Sequence, residues 1–534
     1  MKFLKVIEQL VLLVVLPLVF HVSAFGQSMF QKLYGSTENL NLHEMVLTSD
    51  SNVVIAGTGT VGFTYSPDIF LLKLNKDGDT LWSKIFTSPG AEGVYSIIEA
   101  GNGDLVMAGL YGTNPSRLQM LLIRTDSMGN IRWSRTYGDS LLSESASVVR
   151  ETNDHGFILG GRIFSGPAGE SDMFLVKTDS IGNAVWEKYI GGSYEDDLFD
   201  VRVTDDGSIV IAGTISDSSA QATKYDGLLL KLDSLGNYVW AKKYGGGLKE
   251  KFQSLLVADS GYFLAGYTTS FGAGNMDAFF VRTDDSGDVI WSAACGTAEN
   301  EEASAILSMN QEFWMTGIHE VYVPSGNRYL YFFKIDANGL LAQSQMYRTG
   351  NNVNAVATKN GLCKLGEDRF MLGGTTVNTV SGYSDFYLVK TDSAIGNCIQ
   401  YTLNDVLTNL NLSAVPVSIN FYNAGGQDTT MFLQFSGMSV TVLCFAAGVH
   451  SFNATGSELF VYPNPATNHL FVKLKGHAGT TQLELMNTEG KVLRSMIPDN
   501  AESIEMNLSQ LDAGMYFLRL LTDGNSYVTR FIKQ

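Results

Sequence analysis

The sequence is short of proline, of charge and of cysteine, and each shortage excludes something. Ten prolines in 534 residues are too few for a proline-rich linker protein, and there is no Gly-X-Y period to suggest collagen. Charged residues make up 17% against a usual ~25%, which excludes a highly charged disordered chain. Positive charge is the scarcer sign. The 36 Lys and Arg face 54 Asp and Glu, a formal charge of −18, so nucleic acid and anionic lipid are disfavoured as partners. The four cysteines, Cys295, Cys363, Cys398 and Cys444, lie 68, 35 and 46 residues apart, and those spacings exclude a CxxC zinc or redox motif. In an exported chain they allow up to two disulfides, in any of three connectivities. The seven histidines show no HExxH or other paired spacing, and no G-x-S-x-G elbow exists. A recognisable hydrolase signature is therefore missing, although catalytic groups can converge in space without converging in sequence.

What is present points one way. Hydrophobic residues reach 45%, aromatics 11% and glycine 55 residues, a profile of many short half-buried strands joined by tight turns, and no helical period appears. An all-β chain is expected. The N-terminus carries Lys2 and Lys5, an apolar stretch from Leu10 to Phe20 broken only by Pro17, and the small-residue site Val22-Ser23-Ala24. Residues 1–27 read as a signal peptide for export through the inner membrane, and no later segment spans a membrane.

A pattern of Asp, an alternating apolar run, Lys or Arg, and a D-x-x-G-N-x-x-W turn recurs along the chain. Asp68 to Trp82, Asp172 to Trp186, Asp226 to Trp240 and Asp277 to Trp291 each cover the same fourteen-residue step. Trp82, Trp133, Trp186, Trp240 and Trp291 are 51, 53, 54 and 51 residues apart, with weaker copies ending at Gln343 and Gln400. A second pattern, an apolar run closing in glycine, recurs at Gly57, Gly109, Gly161, Gly213, Gly266, Gly317 and Gly374. Together these define seven units of about 52 residues, each with four strand candidates and two tight turns rich in Asp and Gly. Four-stranded units at fixed pitch cannot bury their faces alone, so they must stack. Seven fit a closed seven-bladed β-propeller over residues 28–400, with the repeated Trp packed structurally between blades. Residues 401–458 break the pattern but still alternate like strands, and read as a β-rich connector.

The D-x-x-G-N-x-x-W turn resembles the tryptophan-docking repeats of PQQ-like and related bacterial β-propellers, over roughly residues 30–400. Those enzymes usually have eight blades and some carry adjacent cysteines; seven units and dispersed cysteines make quinone chemistry an unsuitable inference here. From residue 459 the chain runs through Tyr462-Pro463-Asn464-Pro465, an Asn-x-x-Gly-Lys turn ending at Gly490 and Lys491, and Leu511-x-x-Gly514-x-Tyr516. Residues 459–534 resemble the C-terminal sorting domain of the type IX secretion system in its Ig-like form. That resemblance implies recognition by an outer-membrane translocon and delivery to the medium or to the outer-membrane surface. From the residues alone the segment is a small seven-stranded sandwich.

Gly57-Thr-Gly59-Thr-Val-Gly62 satisfies G-x-G-x-x-G, but another strand follows it where a dinucleotide site needs a helix, so it reads as a loop. The Asp179, Gly182 and Asn183 type of turn lacks the alternating carboxylates of a calcium loop. Both tight turns of a unit fall at one end of the stack, so the longer loops gather at the other, and a ligand face is expected there. Its candidate residues are Glu195, Asp196, Asp197, Glu299, Glu301 and Glu302, either as a solvated acidic rim or as a surface for a glycan, a protein or a cation. No catalytic residue and no cofactor or metal site is assigned, with calcium on the acidic loops the one cofactor candidate. A non-enzymatic binding module is the first reading, and a secreted hydrolase or lyase on the long-loop face is the alternative.

Overall fold

The computed structural model describes residues 29–533 apart from short segments, chiefly 36–38, 61–66, 165–169, 217–223, 322–326, 348–354, 378–382, 394–399, 402–405, 447–457, 463–465, 476–481, 488–490 and 498–502. The signal-peptide reading, Pro463, Asn464, Pro465, Gly490 and Cys398 lie outside the described residues. The chain divides into two compact units, residues 1–448 and 449–534. Every regular element among the described residues is a β-strand, and all the named strands pair antiparallel.

The first unit holds seven antiparallel sheets. Sheets one to six take four consecutive strands each, over residues 40–87, 91–137, 144–191, 196–244, 250–296 and 300–347. The repeated Trp opens the sequence unit but lies on the fourth strand of its sheet, so sequence repeat and sheet are out of phase by one strand. Sheet seven shows the consequence: it has three strands from residues 355–392, and its fourth is Met29–Gly35, from the other end of the chain, with Phe30 opposite Lys390 and Tyr34 opposite Phe386. The first strands follow one another in a cycle, each touching the next, and that of sheet seven (Ala355–Lys364) touches that of sheet one (Leu40–Leu47).

The connector is not a spacer. Beyond residue 400 the chain retraces the cycle in reverse and adds a fifth, outer strand to every sheet: Gln400–Tyr401 on sheet six, Val406–Leu410 on five, Val415–Pro416 on four, Asn420–Asn423 on three, Gln427–Asp428 on two and Leu433–Phe435 on one. The circuit ends with Ser439–Ala446 on Met29–Gly35, so that N-terminal strand is held from both sides. This belt supplies partners to backbone groups that would otherwise form open sheet edges.

Neighbouring sheets are joined where the repeated Trp meets the next unit's tight turn. In the turn of sheet four, Asp233 Oδ1 accepts from the backbone N–H of Leu235 and of Asn237 (2.9 and 2.8 Å), which sets the Asp-x-x-Gly-Asn spacing. Gly236 has φ of +76°, a left-handed conformation that disfavours a side chain. A Cβ there would also come within 2.7 Å of the Trp186 ring of the preceding sheet. Trp82, Trp133, Trp240 and Trp291 meet Gly129, Gly182, Gly287 and Gly339 in the same way, and Phe30 of the N-terminal strand meets Gly78. The repeated Trp are half-buried, so they edge the joints; the fully buried Trp314 is outside the repeat. Between sheets the apolar residues of the second and third strands build most of the cores, such as Ile209, Ile211, Leu228 and Leu230 against Ile158, Met173 and Leu175.

Cys295 and Cys363 are buried thiols within these cores, so the four cysteines do not form two disulfides. The second unit has a three-stranded sheet (Glu458–Tyr462, His469–Lys475, Ser503–Asn507) and a four-stranded sheet (Gln482–Met486, Val492–Met496, Gly514–Thr522, Asn525–Lys533). Leu470, Val472, Leu485, Met506, Tyr516 and Phe531 fill one core between them. Tyr516 donates its hydroxyl to the Asp512 carbonyl (2.9 Å), Lys491 closes the turn by donating to Asn487, and Gly514 opens its strand.

Candidate functional site

The first strand of each sheet carries the chemistry, because of one repeated backbone irregularity. In sheets one to six its pairing with the second strand shifts by one residue, skipping His43, Tyr95, Ser147, Phe199, Gln253 and Ser304 in turn. Opposite each shift stands the glycine of the second sequence pattern. A Cβ on Gly213 would fall 2.1 Å from the Asp197 carbonyl oxygen, so the bulge and the glycine require one another. The skipped residues except Ser304 are partly accessible while their strand neighbours are buried, and side chains from successive sheets meet. The His43 and Tyr95 rings lie edge to face with centroids 4.8 Å apart. Lys251 Nζ sits 3.7 Å from the centre of the Phe199 ring, and Gln253 hydrogen-bonds Glu302.

Two residues before each bulge, toward the long loops, the same strands bring Asp197, Lys251 and Glu302 together. Arg162 on the neighbouring strand lies 3.3 Å from Asp197. Around sheets three to six the charges therefore alternate: Arg162, Asp197, Lys251, Glu302. Burial pushes the Glu302 carboxyl up and the Lys251 ammonium down, each against the pull of the other's charge. Both side chains keep some accessible surface. Burial also lowers His43 to about 4, so its imidazole, 2.8 Å from the Thr58 hydroxyl, is neutral at physiological pH.

Just past the bulges, toward the tight turns, the same strands carry a buried ion network. Arg150 reaches from sheet three past sheet two to Glu44 of sheet one (3.5 Å) and binds Asp200 of sheet four (3.0 Å), which also holds Arg202 (3.0 Å). Glu44 accepts from the Ile97 N–H, Asp200 from the Leu255 N–H, and Arg202 donates to the Leu255 carbonyl. The two acids and two guanidinium groups balance in charge, and backbone groups meet much of their remaining hydrogen-bonding capacity, with Arg150 Nε left without a hydrogen-bond partner among the described residues.

The six acidic residues singled out in the sequence separate into different environments. Glu195 is exposed, and Glu299 is partly so. Asp196 and Glu301 are fully buried, and are not rim charges. Asp196 accepts from the backbone of Gly192 and of Ser216, and Glu301 accepts from Thr297 N–H and contacts His319 Nδ1 at 2.8 Å. Glu92, Glu144 and Glu250 tie down the corresponding loops of other sheets through Ser88, Asp139 and Gly246. Burial, reinforced by Asp172 and Asp197, raises Asp196 to about 7; burial raises Glu92 and Glu144 to about 7 as well. Of the six, only Asp197 and Glu302 join the alternating charges beside the bulges. His43, Tyr95, Phe199, Lys251 and Gln253 escaped notice in the sequence, yet the bulge residues stand thirteen or fourteen positions before the repeat glycine, a spacing that would have found them. Among the described residues no cluster of three or more His, Cys, Asp or Glu is arranged to hold a metal ion.

A curated relative, the regulatory protein FlaEY of Caulobacter vibrioides, is 26% identical over 166 residues, covering 26% of this chain, and the chain spans 17% of that relative's length. Among solved structures, a protein of unknown function from Dyadobacter fermentans is 10% identical with a TM-score of 0.38, covering 68% of this chain and 97% of its own. The tail fibre of Staphylococcus aureus phage P68 is 8% identical with a TM-score of 0.25, covering 94% of this chain and 95% of its own. Likenesses at these scores carry no argument about function. Residues 460–534 match the secretion system C-terminal sorting domain, and the chain thus carries a type IX export signal that supports secretion or attachment to the cell surface.

Proposed function

We propose that this is an exported binding protein in which the seven sheets are the blades of a closed β-propeller, the recess on its axis takes the ligand from the long-loop face, and an Ig-like sorting domain addresses the whole to the type IX translocon. The closure reading is supported by the N-terminal strand completing sheet seven and by the cyclic succession of first strands. The observation that carries the binding reading is the meeting of side chains at and beside the bulges of successive sheets, His43 with Tyr95, Phe199 with Lys251 and Gln253 with Glu302, next to a buried ion network. Small-molecule sites of this kind are concave, partly aromatic and furnished with a few convergent polar groups. The buried acids Glu92, Glu144, Asp196 and Glu301 each hold a loop through a hydrogen bond, a structural task compatible with a binding protein. Ligand-observed NMR with a diverse fragment mixture tests the reading. Hits are expected to compete with one another and to disappear in Phe199→Ala, with the fold checked by circular dichroism. Hits that persist unchanged in that variant would place the binding face elsewhere.

A further inference from the structure

The alternation of charge at the mouth of the recess selects a class of ligand, if the recess is the binding site as proposed above. Arg162, Asp197, Lys251 and Glu302 stand in sequence around sheets three to six, and each charge already has a partner. Arg162 pairs with Asp197 and also lies over the Phe164 ring at 4.2 Å; Lys251 rests on Phe199; Gln253 holds Glu302. A net anion or cation arriving there meets a like charge beside every opposite one, so the long-range field offers it little. A zwitterion fares no better, because it must displace an existing partner at both ends and leave that partner buried. A hydroxyl has no such difficulty: it donates to Asp197 or Glu302 and accepts from Arg162 or Lys251 while their existing contacts persist.

At the bulges themselves, which would line the recess below that mouth, the side chains carry no charge. Tyr95, Ser147 and Gln253 offer hydroxyl and amide, His43 is a neutral imidazole, and Phe199 with the His43 and Tyr95 rings supplies apolar surface. The complement of such a lining is a molecule with hydroxyls that both donate and accept, set around a ring whose C–H faces pack on aromatic carbon. We propose that the recess binds a neutral saccharide, either as a free oligosaccharide or as the end of a glycan chain.

The test is calorimetric titration of the full chain with neutral oligosaccharides, a uronic-acid oligosaccharide and a zwitterionic dipeptide, at low and high salt. A pull-down on insoluble neutral polysaccharide separates the chain-end source from the free one. Binding of a neutral saccharide is expected to change less than about twofold with salt, since neither partner releases counterions. It should weaken by at least about tenfold in Phe199→Ala and in Gln253→Ala. Because Phe199→Ala also removes packing from its strand, Lys251→Met provides a second variant that keeps the bulk over the ring while removing the donor. Preferred, salt-sensitive binding of the dipeptide or the uronic acid, abolished by the same variants, would overturn the ligand class and leave the recess as the site. Failure of every neutral saccharide at millimolar concentration would also overturn it. Saccharide binding indifferent to all three substitutions would overturn both this inference and the proposed site.

Discussion

At the scale of single residues, neighbouring acids that look equivalent in the sequence have unequal tasks. Glu195 is exposed, whereas Asp196 is wholly buried and accepts the N–H groups of Gly192 and Ser216. Glu195→Gln should change stability by less than ~0.5 kcal/mol, as surface substitutions do. Asp196→Ala leaves two loop N–H groups without their acceptor and should cost about 1–3 kcal/mol. Urea titration of both variants measures the difference, and equal midpoints would show that the loop does not depend on this carboxylate. The run Glu195-Asp196-Asp197 could be read as acidic from the sequence, but not sorted into exposed, buried and recess-lining members. Alternation along a strand sends successive side chains to opposite faces, and which face is buried depends on the neighbouring sheet.

At the scale of elements, the belt is what the sequence concealed most thoroughly. Its strands are short, from two residues at Gln400–Tyr401 to eight at Ser439–Ala446, and they follow no repeat because each meets a different sheet. Single backbone ladders of that length carry little sequence signature. The tight turns are the opposite case: Asp233, Gly236 and Asn237 were legible because each has a local hydrogen-bonding or φ requirement. A chain ending at residue 448 is expected to remain monomeric and cooperative in thermal unfolding. One ending at residue 399 exposes the outer edges of seven sheets and releases the N-terminal strand from one of its two partners, and should aggregate or melt at lower temperature. Light scattering and calorimetry on the two chains decide this; identical behaviour would reduce the belt to an ornament of the fold.

At the scale of the whole molecule, buried acids set the pH response. Burial raises Glu92, Glu144, Glu187 and Asp196 to about 7 in the folded chain, above ordinary carboxyl values near 4. The folded state therefore holds more protons than the unfolded state between those limits. The stabilisation is complete below about pH 4 and is lost as pH rises to 7. Hydrogen bonds from Thr204 and the Ser208 backbone N–H, and from Thr152 and Lys177, hold Asp206 and Asp154 at about 2 despite some desolvation, so they contribute stability above pH 4 that disappears below it. Self-repulsion of a chain at −18 adds to the alkaline loss. The melting temperature should peak near pH 4–5 and decline toward pH 8. A melting temperature that rises steadily from pH 5 to 8 would mean that these carboxylates are ionised in the folded chain.

The sequence by itself determined the all-β class, the seven-fold pitch, the turn chemistry and the sorting domain, because each rests on requirements that are local: alternation, a left-handed glycine, an Asp that caps its own turn, a family motif within 75 residues. The tertiary structure alone decided the phase between repeat and sheet, the use of Met29–Gly35 to complete sheet seven, the belt, and the company kept by His43, Tyr95, Phe199, Lys251 and Glu302. Those residues sit about 50 to 100 positions apart on different strands, and nothing within any one repeat records which side chain of the next sheet its bulge will meet. Convergence of that kind is produced by the order in which sheets pack around a cycle, a property of the assembled chain and not of any segment of it.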